Sequence, residues 1–131
     1  MKFKLSFDEP DFFVNEEKGV VTCVMDCYLK GVDSVLNAMA NNVYGYYNHN
    51  PIVSTFTITA SAKLDPQDKF DKEKGKKVAR AKAESKAYKR ISKSFCHVIE
   101  KYCEKLGNDL AEFETKAVGV IEHNDRYIGQ F

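Results

Sequence analysis

The chain has 131 residues, of which 44% are hydrophobic and 30% charged, with a formal net charge of +1. A chain of that size buries about two-thirds of the surface its unfolded form exposes, so a single domain over residues 1–131 is expected, and the composition argues against wholesale disorder, a collagen-like repeat or a coiled coil alone. No window approaches eighteen apolar residues and Met1 to Glu9 alternates, so neither membrane insertion nor secretion is indicated and a cytoplasmic location is expected.

Phe3, Leu5 and Phe7 alternate with Lys2, Lys4 and Ser6, which predicts a short strand with one buried face. The acidic stretch from Asp8 to Glu17 contains Pro10 and ends at Lys18-Gly19, and it is read as a connection to a strand over Val20 to Leu29 that Gly31 closes. Val32, Val35, Leu36, Met39 and Val43 have helical spacing, and Asn41 to Pro51 reads as a polar, aromatic loop. From Ile52 to Leu64 an apolar face alternates with Thr55, Thr57, Thr59 and Ser61, the pattern of an antiparallel strand.

Asp65-Pro66 breaks that strand, and Asp68 or Asp71 can cap the helix that follows. Val78, Ala81, Ser85, Tyr88, Ser92, Phe95, Ile99, Tyr102 and Leu106 recur at steps of three and four, predicting an apolar seam that ends at Gly107, with lysines and arginines on the other side. A continuous helix over 71–106 is about 54 Å long, against about 35 Å for a compact domain of this size. Either it breaks near Ser92 to Ser94 into a hairpin, or it projects and packs on a second subunit through its seam and Ala79, Ala81, Ala83 and Ala87. Lys116 to Glu122 and Arg126 to Phe131 read as strands around His123-Asn124-Asp125. The expected fold class is α+β, with an antiparallel sheet packed against a long basic amphipathic helix or helical hairpin.

Cys23 and Cys27 share a strand face about 13 Å apart, and Cys96 and Cys103 are about 10 Å apart on a helix. Neither pair can close a disulfide or form the short-spaced half of a zinc site. Pairing between the two segments stays geometrically open, and buried, reduced thiols are expected.

Charge is segregated: residues 69–93 hold eleven basic residues against Asp71, Glu73 and Glu84, a local +8, so the rest of the chain carries −7. No phosphate loop, HExxH helix, nucleophile elbow or close Cys/His cluster is present, and His49, His97 and His123 fall in separate predicted elements. No catalytic residue, cofactor or metal site is therefore expected. Asp65, Asp68 and Asp71 resemble a magnesium set in spacing, but capping of a helix start accounts for them with less.

Lysines and arginines repeated every three or four residues can track several phosphates at once, although such a face also serves simply to keep a helix soluble. Arg80 and Arg90, with bidentate guanidinium forks, and Lys76 and Lys86 are the candidate ligand-binding cations. Tyr44, Tyr46, Tyr47 and His49, and Phe70 before the helix, are the candidate aromatic partners of a nucleobase. An ordered loop or subunit contact is the alternative for the tyrosines.

The segment from Ala62 to Ala83, through Pro66, Asp68, Phe70-Asp71, Gly75 and Ala79 to Ala83, resembles a strand-to-helix segment of small phage and prophage accessory proteins. That resemblance covers about one-sixth of the chain. It implies a viral accessory role in the host cytoplasm, including non-catalytic sequestration of a cyclic signalling nucleotide used in bacterial defence. The expected partner is a nucleotide or other phosphate-bearing ligand, bound by a homo-oligomer formed through helix 71–106. Nucleic acid, or a host enzyme inhibited by direct docking, are the alternatives.

Overall fold

A computed structural model describes residues 3–32, 34–45, 51–65 and 69–131. The elements are β1 (Lys4–Phe7), β2 (Asp11–Asn15), β3 (Val20–Lys30), α1 (Ser34–Tyr44), β4 (Thr55–Lys63) and α2 (Lys72–Ile128). The fold is α+β, as expected: a four-stranded antiparallel sheet with one long and one short helix.

β3 is the centre of the sheet. β4 pairs along one edge, from Val20↔Lys63 to Tyr28↔Thr55. β1 and β2 lie end to end on the other, with Phe7 opposite Cys27 and Asp11 opposite Val24. Three residues, 8–10, thus span the gap that two residues span on β3, the excess expected of a bulge at Pro10. The acidic segment expected to be a connection is therefore partly a strand. Its alternation, Phe12 and Val14 packed inward between Asp11, Phe13 and Asn15, is obscured in sequence by the apolar but exposed Phe13.

Val21, Cys23, Met25 and Cys27 of β3, with Ile58 and Ala62 of β4, form the inner face of the sheet. The outer face is polar: Thr22 and Ser61 hydroxyls lie 2.8 Å apart, and Thr57 donates to Asp26 at 2.6 Å. Such a one-sided sheet needs a single covering layer, and α2 supplies it. Asp71 caps α2 by accepting from the Glu73 and Lys74 amides at 3.1 Å each; Asp68 lies outside the described residues.

The face that α2 lays on the sheet is not the predicted seam. Gly75, Ala79, Ala83, Ala87 and Ile91 are buried, whereas Val78, Tyr88, Ile99 and Leu106 are exposed. Small residues at steps of four let the helix backbone descend close to the strands, so depth of contact takes precedence over side-chain size. Further along, Val98 packs with Leu36 and Ala40 of α1 to form a second core, edged by Phe95, Met39 and Ile52.

Two further expectations fail. α2 neither breaks at Ser92 to Ser94 nor ends at Gly107, but runs unbroken for 57 residues, about 85 Å. The segments 116–122 and 126–131 are not strands; all but the last three residues are helix. A glycine inside a helix costs only about 1 kcal/mol relative to alanine, which the good helix formers around Gly107 offset. Ala117, Val120, Ile121 and Asn124 have helical spacing, the β-branched Val118, Val120 and Ile121 that suggest a strand are tolerated in a helix, and a helix needs no neighbouring strand to complete its hydrogen bonds.

Candidate functional site

Because the small-residue stripe is buried, the basic side chains of α2 emerge on both sides of it and along its back. On the β2 side, Lys76 and Arg80 border an open groove of about 420 Å³ with Glu9, Pro10, Phe12, Glu73 and Lys77. The Lys76 ammonium sits 5.6 Å from the Phe12 ring centroid and 3.7 Å from a Glu73 carboxylate oxygen. Arg80 is held by Glu84 at 3.3 Å, one turn on.

On the β4 side, Lys86 donates to the Thr59 carbonyl at 2.9 Å and Lys82 to the Ser61 carbonyl at 3.4 Å. The Arg90 guanidinium lies 4.6 Å over the Phe56 ring. Since β4 has β3 as its only strand partner among the described residues, these lysines occupy acceptors on a free sheet edge, a common means of blocking edge-to-edge pairing. Lys82, Lys86 and Lys89, with Val78, Ala81 and Ser85, line a second open groove of about 490 Å³.

The structure thus pairs Lys76 with Arg80 and Lys86 with Arg90, but sets the two pairs on opposite flanks of the helix. Tyr44 is elsewhere, in the core between α1 and α2, its ring 6.2 Å from that of His97 and its hydroxyl buried with no hydrogen-bond partner among the described residues. Phe70 packs against the sheet core and borders a groove with Glu16, Glu17 and Asp65, away from the cations. Tyr46, Tyr47 and His49 lie outside the described residues. The described candidates therefore do not converge on one pocket.

The rings that do meet the cations, Phe12 and Phe56, were missed as site residues. Phe56 was legible only as a core position of its strand, and Phe12 was lost with the strand itself. Lys77 at the rim of the first groove, Lys89 at the rim of the second, and Lys93 have no carboxylate, carbonyl or ring partner among the described residues. They span 16 residues, about 24 Å of helix.

Burial raises the thiol pKa of Cys23 and Cys27, the latter also through Asp26, so both stay protonated. Cys96 and Cys103, expected to be buried, are exposed on α2; all four cysteines are free. No group of three or more His, Cys, Asp or Glu among the described residues is placed to hold a metal ion, and no described helix is long and apolar enough to cross a membrane.

Comparison with known proteins gives no matching family model, and no match among curated proteins or solved structures.

Proposed function

We propose that this protein is a non-enzymatic binder of phosphate-bearing ligands, and that the ligand is a polyanion, a nucleic acid strand or duplex, following the basic segment of α2. The observation that carries this is that Lys77, Lys89 and Lys93, distributed along α2, are unpaired among the described residues within a segment of net charge +8. Their span of about 24 Å matches roughly seven phosphates at about 3.4 Å per nucleotide of one strand. The acidic start of α2, with Asp71 on its first amides, disfavours a phosphate there and leaves the flank and back for anion contact.

Fluorescence anisotropy with labelled single-stranded and duplex oligonucleotides over a salt series tests this. Affinity falling linearly in log–log coordinates is expected; absent or salt-insensitive binding overturns it.

A second reading, sequestration of a small signalling nucleotide by a phage accessory protein, draws on the resemblance of residues 62–83 and on the groove where Phe12 meets Lys76 and Arg80. At about 420 Å³ that groove falls within the volume range of small-molecule sites. Calorimetry against cyclic and linear nucleotides separates the two: heat with a mononucleotide and none with oligonucleotides favours sequestration.

A further inference from the structure

Beyond its last contact with α1, where Lys105 donates to the Asn42 side-chain oxygen at 2.8 Å, α2 continues to Ile128 with no other described element against it. That projecting half is not polar. Leu106, Leu110, Phe113, Val120 and Tyr127 are all large apolar residues left about half or more exposed. A projecting helical arm over 106–128, about 35 Å long, lacks the tertiary packing that stabilises most protein helices unless something covers that face.

The spacing of that face is heptad. Cys96, Cys103, Leu110, Ala117 and Asn124 recur every seven residues, and Ile99, Leu106, Phe113, Val120 and Tyr127 recur every seven residues three positions later. These are the a and d positions of five successive heptads, and nine of the ten are apolar. Repetition at 3.5 residues matches the facing seam of a second supercoiled helix, whereas a globular partner imposes no such period. The first of these residues lie beside, not under, the contacts to α1 and β1: Phe95, Val98 and Tyr102 face that way while Cys96, Ile99 and Cys103 remain exposed. The fold itself therefore leaves the seam open.

We infer that residues 96–127 form a parallel, in-register two-stranded coiled coil with a second copy of this chain. Asn124 identifies both the occupant and its direction. A lone amide in an apolar seam has to be hydrogen-bonded, and at an a position of a parallel pair it meets its own copy, amide to amide. In an antiparallel pair it faces an apolar d position. Area agrees with self-association. Six large seam residues per copy, each with roughly half of about 150–200 Å² open, remove roughly 900–1,200 Å² over two copies. Ile121 and Ile128 beside the seam, 58% and 66% exposed, bring this into the range of about 1,200–2,000 Å² typical of stable complexes. Asp109 and Glu114 form a like-charge contact in this arrangement, but at the solvent-exposed margin, where charge pairs count for little.

The native cysteines report the arrangement. In a parallel pair Cys103 faces Cys103 of the second copy, and Cys96 likewise, while Cys23 and Cys27 are buried in the sheet and cannot compete. Sedimentation equilibrium of the full chain at tens of micromolar, with reductant, is expected to give a two-chain mass. Copper–phenanthroline oxidation is expected to give an interchain disulfide that disappears in C96S/C103S, which still sediments as two chains. Leu106→Glu with Phe113→Glu is expected to give single chains with an unchanged β-sheet circular dichroism signal, since neither residue touches the sheet core. A one-chain mass for the native protein, or a two-chain mass that survives both glutamates, overturns the proposal. A two-chain mass without cysteine cross-linking overturns the parallel arrangement.

Discussion

Gly75 passes so close over Val21 that a Cβ atom at position 75 would stand 2.6 Å from Val21 Cγ2 and 3.3 Å from Val21 Cβ. Val21 is fully buried in the centre of the sheet and, being β-branched, has little rotameric freedom to move aside. Gly75→Ala would gain about 1 kcal/mol in helix propensity yet incur about 1–3 kcal/mol of overpacking. A net loss of up to about 2 kcal/mol in urea unfolding is expected, and Val21→Ala combined with Gly75→Ala is expected to lose less than the two single changes together.

The cysteines divide by burial. Cys96 and Cys103 are exposed, whereas Cys23 and Cys27 lie under α2 with thiols held protonated by desolvation. Because the thiolate is the reactive form, Ellman's reagent at pH 8 is expected to find two fast thiols in the folded single-chain Leu106→Glu/Phe113→Glu variant, fewer in the native two-chain protein, where both face the seam, and four in urea. In that single-chain background, serine at 96 or at 103 would each remove one fast equivalent.

The lysines of α2 divide in a different way. Lys86, which reaches the Thr59 carbonyl, has a structural task, and Lys86→Ala is expected to lower stability by about 0.5–1 kcal/mol. Lys77, Lys89 and Lys93 make no such contact among the described residues. Replacing all three by alanine is expected to leave the urea midpoint nearly unchanged. If they contact nucleic acid, the same variant lowers the slope of log affinity against log salt by about 3.

Tyr28 donates to an Asp8 carboxylate oxygen at 2.5 Å, a bond made only by the neutral phenol, and its pKa is raised by that bond first and by burial second. The folded state therefore holds this proton more tightly than the unfolded chain. The contribution to stability is present below the unfolded phenol pKa, about 10, and is lost as pH rises beyond it. Following the Tyr28 ring carbon by NMR should show a late titration, shifted to lower pH by Asp8→Asn.

Where a sequence pattern had one structural solution, it was read correctly. The alternation expected from Ile52 to Leu64 holds over Thr55–Lys63, where Ile58 and Ala62 enter the core, and Val21 to Cys27 does the same for β3; Ile52 lies before the strand and packs instead on the second core with Val98. The failures lie where one pattern admits two solutions. Between Gly75 and Leu106 the larger apolar residues mark a seam by the usual measure, yet the sheet takes the alanines, because glycine and alanine gain close approach that hydrophobicity does not score. From Lys116 onward, the β-branched Val118, Val120 and Ile121 suggest a strand by residue type, while the spacing of Ala117, Val120, Ile121 and Asn124 is helical, and the helix is what forms. The candidate cations were legible as residue types, but not as two pairs on opposite flanks of one helix, since their placement depends on which side of α2 meets the sheet.

Steps of four have a consequence for how α2 finds its place. Ala79, Ala83 and Ala87 are interchangeable under a slide of one step, about 6 Å along the axis, so the alanines alone would allow the helix to dock at several axial positions with similar contact. The two ends of the row remove that freedom. Sliding one way brings Ala79 over Val21, where only glycine fits, and sliding the other drives Ile91 into a space shaped for Ala87. Gly75 and Ile91 thus act as end stops, one by lacking a methyl group and the other by its bulk.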